Sequence, residues 1–190
     1  MRLLALALLT LAGPVAAQEI RPADTARLDA YDSHLGAALT EALNGGAAGD
    51  VQLLVQAMAG EPGPMAPEGD WSCRTIKMGE LSALVVYSPF RCRITAEGDG
   101  WRLEKLTGSQ RTAGHIAGGD APGLYLGVGY VEGGPAVEYA GLPPDDQTPV
   151  EPGQTHAQVG RFEQVSPGQA RLMLPDPILE SRFDILWLTR

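Results

Sequence analysis

The chain has 190 residues, with 14 Lys+Arg against 23 Asp+Glu and a formal net charge of −9. Its 44% hydrophobic content, 24 glycines, 15 prolines and 2 cysteines describe a turn-rich folded domain. They exclude a disordered chain, a coiled coil, a multidomain enzyme and a disulfide-dense miniprotein, and the net acidity argues against nucleic acid as a partner.

Residues 1–17 read as a signal peptide. Arg2 supplies the positive start, Leu3 to Leu11 an apolar run, and Val15-Ala16-Ala17 the small residues that predict cleavage after Ala17. The run is shorter than the ~20 apolar residues that span a bilayer. No later segment is long or apolar enough, so no membrane span is expected. The expected location is periplasmic or secreted. An oxidising compartment favours a disulfide between Cys73 and Cys92. The competing readings are free thiols and a pair of metal ligands, which would be two short of zinc's usual four.

Residues 18–60 predict a helical hairpin. Leu28, Tyr31, Leu35, Leu39 and Ala42 recur every three or four positions, the period of one helix face over residues 24–43. Asn44-Gly45-Gly46 ends that helix. Asp50 caps a second helix running to about Ala59, and the short connection makes the pair antiparallel. Residues 61–70 form a Pro/Gly linker.

From residue 71 to 190 the period drops to two. Strands are predicted at 71–78, 84–95, 101–106, 109–117, 123–131, 157–165, 169–175 and 183–189. Pro89 puts the second at an edge or a bulge. With no helix between them, eight such strands imply an antiparallel barrel or sandwich. The expected fold class is α+β, mainly β: an N-terminal helical hairpin, then an antiparallel eight-stranded barrel-like domain. Closure removes exposed edges and encloses room for side chains or one small ligand. The expected core includes Trp71, Phe90, Ile94, Trp101, Leu126 and Leu172. Residues 132–156 form a long connection with five prolines, five acids and no Lys or Arg, with a short strand expected at Val137-Glu138-Tyr139.

Catalytic templates are missing. There is no Gly-x-Ser-x-Gly elbow, His34, His115 and His156 are scattered, and Asp145-Asp146 lacks the alternating oxygens of a calcium loop. The protein therefore reads as non-enzymatic, with no cofactor or metal. Residues 71–111 are locally basic, with seven cations against four acids. Alternation turns Cys73 and Cys92 inward and Arg74, Arg91 and Arg93 outward onto one face. Clustered like charges need a partner. Acids from the helices or the long connection can supply it, or a small anion or acidic protein surface can. Arg74, Arg91, Arg93 and Arg111 are thus the candidate ligand-binding residues.

Gly69-Asp70-Trp71-Ser72-Cys73-Arg74-Thr75-Ile76-Lys77-Met78-Gly79 resembles the signature of a family of exported bacterial proteins, domain-of-unknown-function family 4893. Phe90-Arg91-Cys92-Arg93-Ile94, the stretch from Leu103 to Thr112, Tyr125-Leu126-Gly127 and the closing Leu174-Pro175 and Glu180-Ser181 resemble it too. The resemblance implies one exported domain and brings no activity or functional residues with it. Two function classes fit these readings: a periplasmic binding module, and an inhibitor of an exported hydrolase such as a lysozyme or protease.

Overall fold

The computed structural model describes residues 19–119, 121–134, 137–143 and 148–190. The predicted leader and the Asp145-Asp146 pair lie outside the described residues. Nine strands follow three helices: β1 Gly69–Gly79, β2 Ser82–Val86, β3 Phe90–Glu97, β4 Gly100–Lys105, β5 Gln110–Ile116, β6 Gly123–Val131, β7 His156–Ser166, β8 Gln169–Pro175 and β9 Phe183–Thr189. Their order is β2-β1-β3-β4-β5-β6-β7-β8-β9, and β9 also pairs with β1. Eight antiparallel strands therefore close a barrel, and β2 is added to it.

The strand expected over 84–95 is two strands. β3 pairs with Gly69–Cys73 and β2 with Ile76–Gly79, along the same edge of β1. Tyr87-Ser88-Pro89 separates them. Proline has no N–H for a ladder, so the chain leaves the wall there and rejoins it beyond.

The barrel interior is packed by Trp71, Ile94, Leu103, Ile116, Phe162 and Leu172, among others. Phe90 and Trp101 are half-buried against this cluster. Leu126 is a core residue as expected, in a second cluster. It is buried, but on the outer face of β6, because Tyr125 takes the inward position beside it. That outer face is apolar because other parts of the chain cover it. The Cys73–Cys92 disulfide forms across β1 and β3, with Cα atoms 5.9 Å apart. Changing both cysteines to alanine should lower the stability measured by urea unfolding by about 3 kcal/mol, the chain-entropy value for a loop of roughly 20 residues. An unchanged midpoint would mean the bond constrains nothing.

The single helix expected over 24–43 is broken. α1 spans Pro22–Asp29, α2 Tyr31–Gly45 and α3 Ala48–Met58. α1 is tied to the end of the barrel, where Arg27 donates to the carbonyls of Ala157 and Pro175, each at 3.3 Å. Ala38 and Ala42 of α2, with Leu54 and Ala57 of α3, instead pack on Ile76, Met78, Met173 and Ile185, the outward residues of β1, β8 and β9. Two different walls require two helix directions, so the chain bends at Ala30.

The long connection after β6 is folded against the outside of β6 and β7 through Tyr139 and Leu142. The strand expected at Val137–Tyr139 is a 3-10 turn, Tyr139–Gly141. Tyr139 and Leu142 sit three apart and both are buried, which a helical turn achieves and an alternating strand cannot. Among the described residues no helix is long and apolar enough to cross a membrane.

Candidate functional site

Inward positions change character along the barrel. β1 runs Trp71, Cys73, Thr75, Lys77; β4 runs Trp101, Leu103, Lys105; β9 read backwards runs Leu188, Leu186, Asp184. β7 ends the same way, in Gln158 and His156. One end of the barrel is thus apolar and the other polar. At the polar end lies a cavity of about 60 Å³, lined by Lys77, Lys105, Thr112, His156, Gln158 and Asp184, with Arg111 also on its wall. Pro177 and Leu179 from the β8–β9 connection border it.

Glycines make the room. At Gly127 a Cβ would overlap the Tyr125 hydroxyl, and at Gly129 it would stand 2.5 Å from His156 Nε2. The Tyr125 and His156 rings occupy space that any other residue would fill. The Tyr125 hydroxyl is hydrogen-bonded to Thr112 Oγ1 at 2.9 Å, and Thr112 also donates to Gln158.

The charges are unevenly matched. Lys77 Nζ pairs with Glu180 at 2.7 Å. Arg111 pairs with Glu132, while its Nη1 is buried with no hydrogen-bond partner among the described residues. Lys105 donates to the Gln110 carbonyl at 2.7 Å and lies 3.9 Å from the centre of the Phe90 ring. Among the described residues it has no ion pair. Burial, and then the charges of Arg111 and Lys77, pull its ammonium down to about 8. Burial raises the Asp184 carboxyl to about 6, against the opposing charge of Lys77 and a 2.6 Å hydrogen bond from Ser181. His156 is held below its ordinary value, chiefly by burial, and its Nδ1 is 2.7 Å from the Gln154 carbonyl. Among the described residues no group of three or more His, Cys, Asp or Glu could hold a metal ion.

Of the arginines singled out in the sequence, Arg111 alone borders this cavity. Arg74, Arg91 and Arg93 lie on the outer wall. Arg93 pairs with Asp70 at 2.7 Å and Arg74 donates to the Tyr87 carbonyl at 3.1 Å, while Arg91 is exposed. The acidic connection does supply partners, Glu132 to Arg111 and Glu138 to Arg102. What the sequence reading missed is lysine. The chain has only two, Lys77 and Lys105, and both line this one cavity with 9% and 7% exposure. Lysine is ordinarily among the most exposed of residues. Two lysines, each on the inward register of a predicted strand, were the available signal.

A family model described as Domain of unknown function (DUF4893) matches residues 17–188. The chain belongs to that family. The matched region includes all three helices and every strand of the barrel up to the penultimate residue of β9, so the mouth residues lie inside it. Neither a curated protein nor a solved structure matches the chain.

Proposed function

We propose that this protein is an exported, non-enzymatic binding module that holds a small anion in the polar mouth of its barrel. The observation that carries the reading is the burial of both lysines of the chain in one cavity. Burying an ammonium is costly unless something answers its charge. Glu180 answers Lys77. Among the described residues Lys105 has a carbonyl and an aromatic ring but no anion. A carboxylate in the cavity would accept from it, with Arg111 also on the wall. The volume, about 60 Å³, suits a ligand of a few heavy atoms rather than a drug-sized molecule. Export is supported by the leader pattern of residues 1–17 and by the paired cysteines.

Thermal melts with acetate, phosphate and sulfate test this. Near neutral pH, acetate at 100 times its Kd should raise the Tm of the wild type by ~5–10 °C, the equivalent of ~2.7 kcal/mol. Lys105→Met should abolish the rise, and Arg91→Ala on the outer wall should keep it. The rise should shrink as pH climbs through about 8, where Lys105 loses its proton. No response to any of the three anions removes the reading. A response lost in Arg91→Ala but kept in Lys105→Met moves the site to the outer wall.

A further inference from the structure

We propose that Lys105 captures a small 2-oxo acid as an imine while the cations beside it hold the carboxylate. This rests on the anion-site reading and goes further by naming the ligand class and the bond.

The two lysines of the cavity are engaged differently. The Lys77 ammonium is fixed by a carboxylate, Glu180, at 2.7 Å. Among the described residues the Lys105 nitrogen meets only a neutral carbonyl and a ring face. It is also crowded by like charge from Arg111 and Lys77. A lysine desolvated in a pocket or placed beside another cation is the kind that acts as a nucleophile toward carbonyls. With its ammonium near 8, Lys105 carries on the order of a hundredfold more free amine near pH 7.5 than an ordinary lysine.

The remaining groups suit the other half of such a ligand. Arg111 borders the cavity beside Lys105, and a guanidinium matches a carboxylate. Asp184 lines the same cavity and is fully enclosed, and its carboxyl near 6 retains some protonated form around neutrality. A cavity of about 60 Å³ suits a short acid of two or three carbons.

The chemistry balances without an oxidant or reductant. The free amine of Lys105 attacks the keto carbon, one N–C bond forms, and the carbonyl oxygen becomes a hydroxyl. That hydroxyl leaves as water, taking a proton handed on by Asp184. The nitrogen gives up both of its protons overall and keeps a C=N bond. Hydrolysis reverses each step and returns the ligand.

The experiment is to incubate the purified protein with pyruvate and cyanoborohydride, which reduces an imine to a stable secondary amine. Peptide mass spectrometry then locates the carboxyethyl group. The expected result is one group on Lys105, with Lys77, held by Glu180 at 2.7 Å, labelled at least about tenfold less; the chain's amino terminus, whose ordinary value is also near 8, serves as the internal reference. In urea that selectivity should vanish. The labelling rate should rise with pH up to about 8, over the range where acetate stabilisation weakens. Lys105→Arg should lose the label, and Arg91→Ala on the outer wall should keep both the label and the acetate effect. No label on Lys105, or equal labelling of Lys77, overturns the imine. If acetate still raises the Tm in that case, the anion site stands and the imine alone falls. If acetate also has no effect, both fall.

Discussion

Asp24→Ala is expected to destabilise the protein by about 3–5 kcal/mol, the range for removing one member of a buried ion network. Asp24 is fully buried at the start of α1. Its carboxylate accepts from Arg21 Nε at 2.6 Å, Arg27 Nη1 at 3.0 Å and the Tyr139 hydroxyl at 2.7 Å. Burial alone would raise the carboxyl, but hydrogen bonds from Arg21 and Tyr139 and the charges of both arginines outweigh it and hold it below the ordinary value. Alanine leaves two nearly buried guanidinium groups without their shared anion. It also removes the Tyr139 hydroxyl's acceptor, leaving Arg21 to join the start of α1 to the long connection, by its N–H to the Tyr139 hydroxyl and its Nη1 to the Pro143 carbonyl. Urea denaturation measures this directly. A loss under about 1 kcal/mol would place the network with weak surface pairs. The sign of the pH effect follows from the lowered carboxyl. The stability it contributes is present above the unfolded carboxylate value near 3.9 and is lost as pH falls through the lower folded value.

Arg171→Ala should cost a comparable amount, about 3–5 kcal/mol, for a related reason. The side chain leaves the outer face of β8 and meets the C-terminal end of α3. Its guanidinium donates to the carbonyls of Ala57, Met58, Ala59 and Gly60 at 2.6–3.4 Å, and to Glu163 at 2.6 Å. A helix end carries unsatisfied carbonyls and a partial negative charge, so one cation answers both. Alanine strands those carbonyls and the largely buried Glu163. Lysine at this position restores the charge but not the fork of donors, so Arg171→Lys should recover only part of the loss. Equal melting temperatures for wild type and Arg171→Ala would show that α3 is held by its apolar face alone.

Much of the barrel was legible before the structure. β6, β8 and β9 fall on the residues that alternation and the flanking glycines and prolines indicate. The disulfide follows from two cysteines in an expected oxidising compartment, and the inward turn of Trp71 and Ile94 from the same period. The break at Ala30 was not legible, because it arises from docking on two separate walls, and local periodicity runs straight through it. The split at Pro89 was half legible: the proline announced a disturbance, but only the shared edge of β1 shows that both pieces belong to one strand position. The site was the least legible part. Arg74, Arg91 and Arg93 drew attention because they are close in sequence. Lys77, Lys105, His156 and Asp184 come from four strands far apart in sequence and meet only once β9 returns to β1.

That return has a kinetic consequence. β1 pairs with β9 from Ser72↔Thr189 to Met78↔Phe183, so the seam joins the first strand of the barrel to the last. Until residues 183–189 are in place, the earlier strands can form a curved sheet but not an enclosed space. The surface on which α2 and α3 settle is also incomplete, since Ile185 and Phe183 belong to it. Contacts this distant along the chain slow folding into the millisecond-to-second range, and meanwhile β1 shows an unpaired edge to any neighbouring chain. The final strand is therefore what gives the molecule an inside at all, and Asp184 reaches the lysines in the same event that creates the cavity around them.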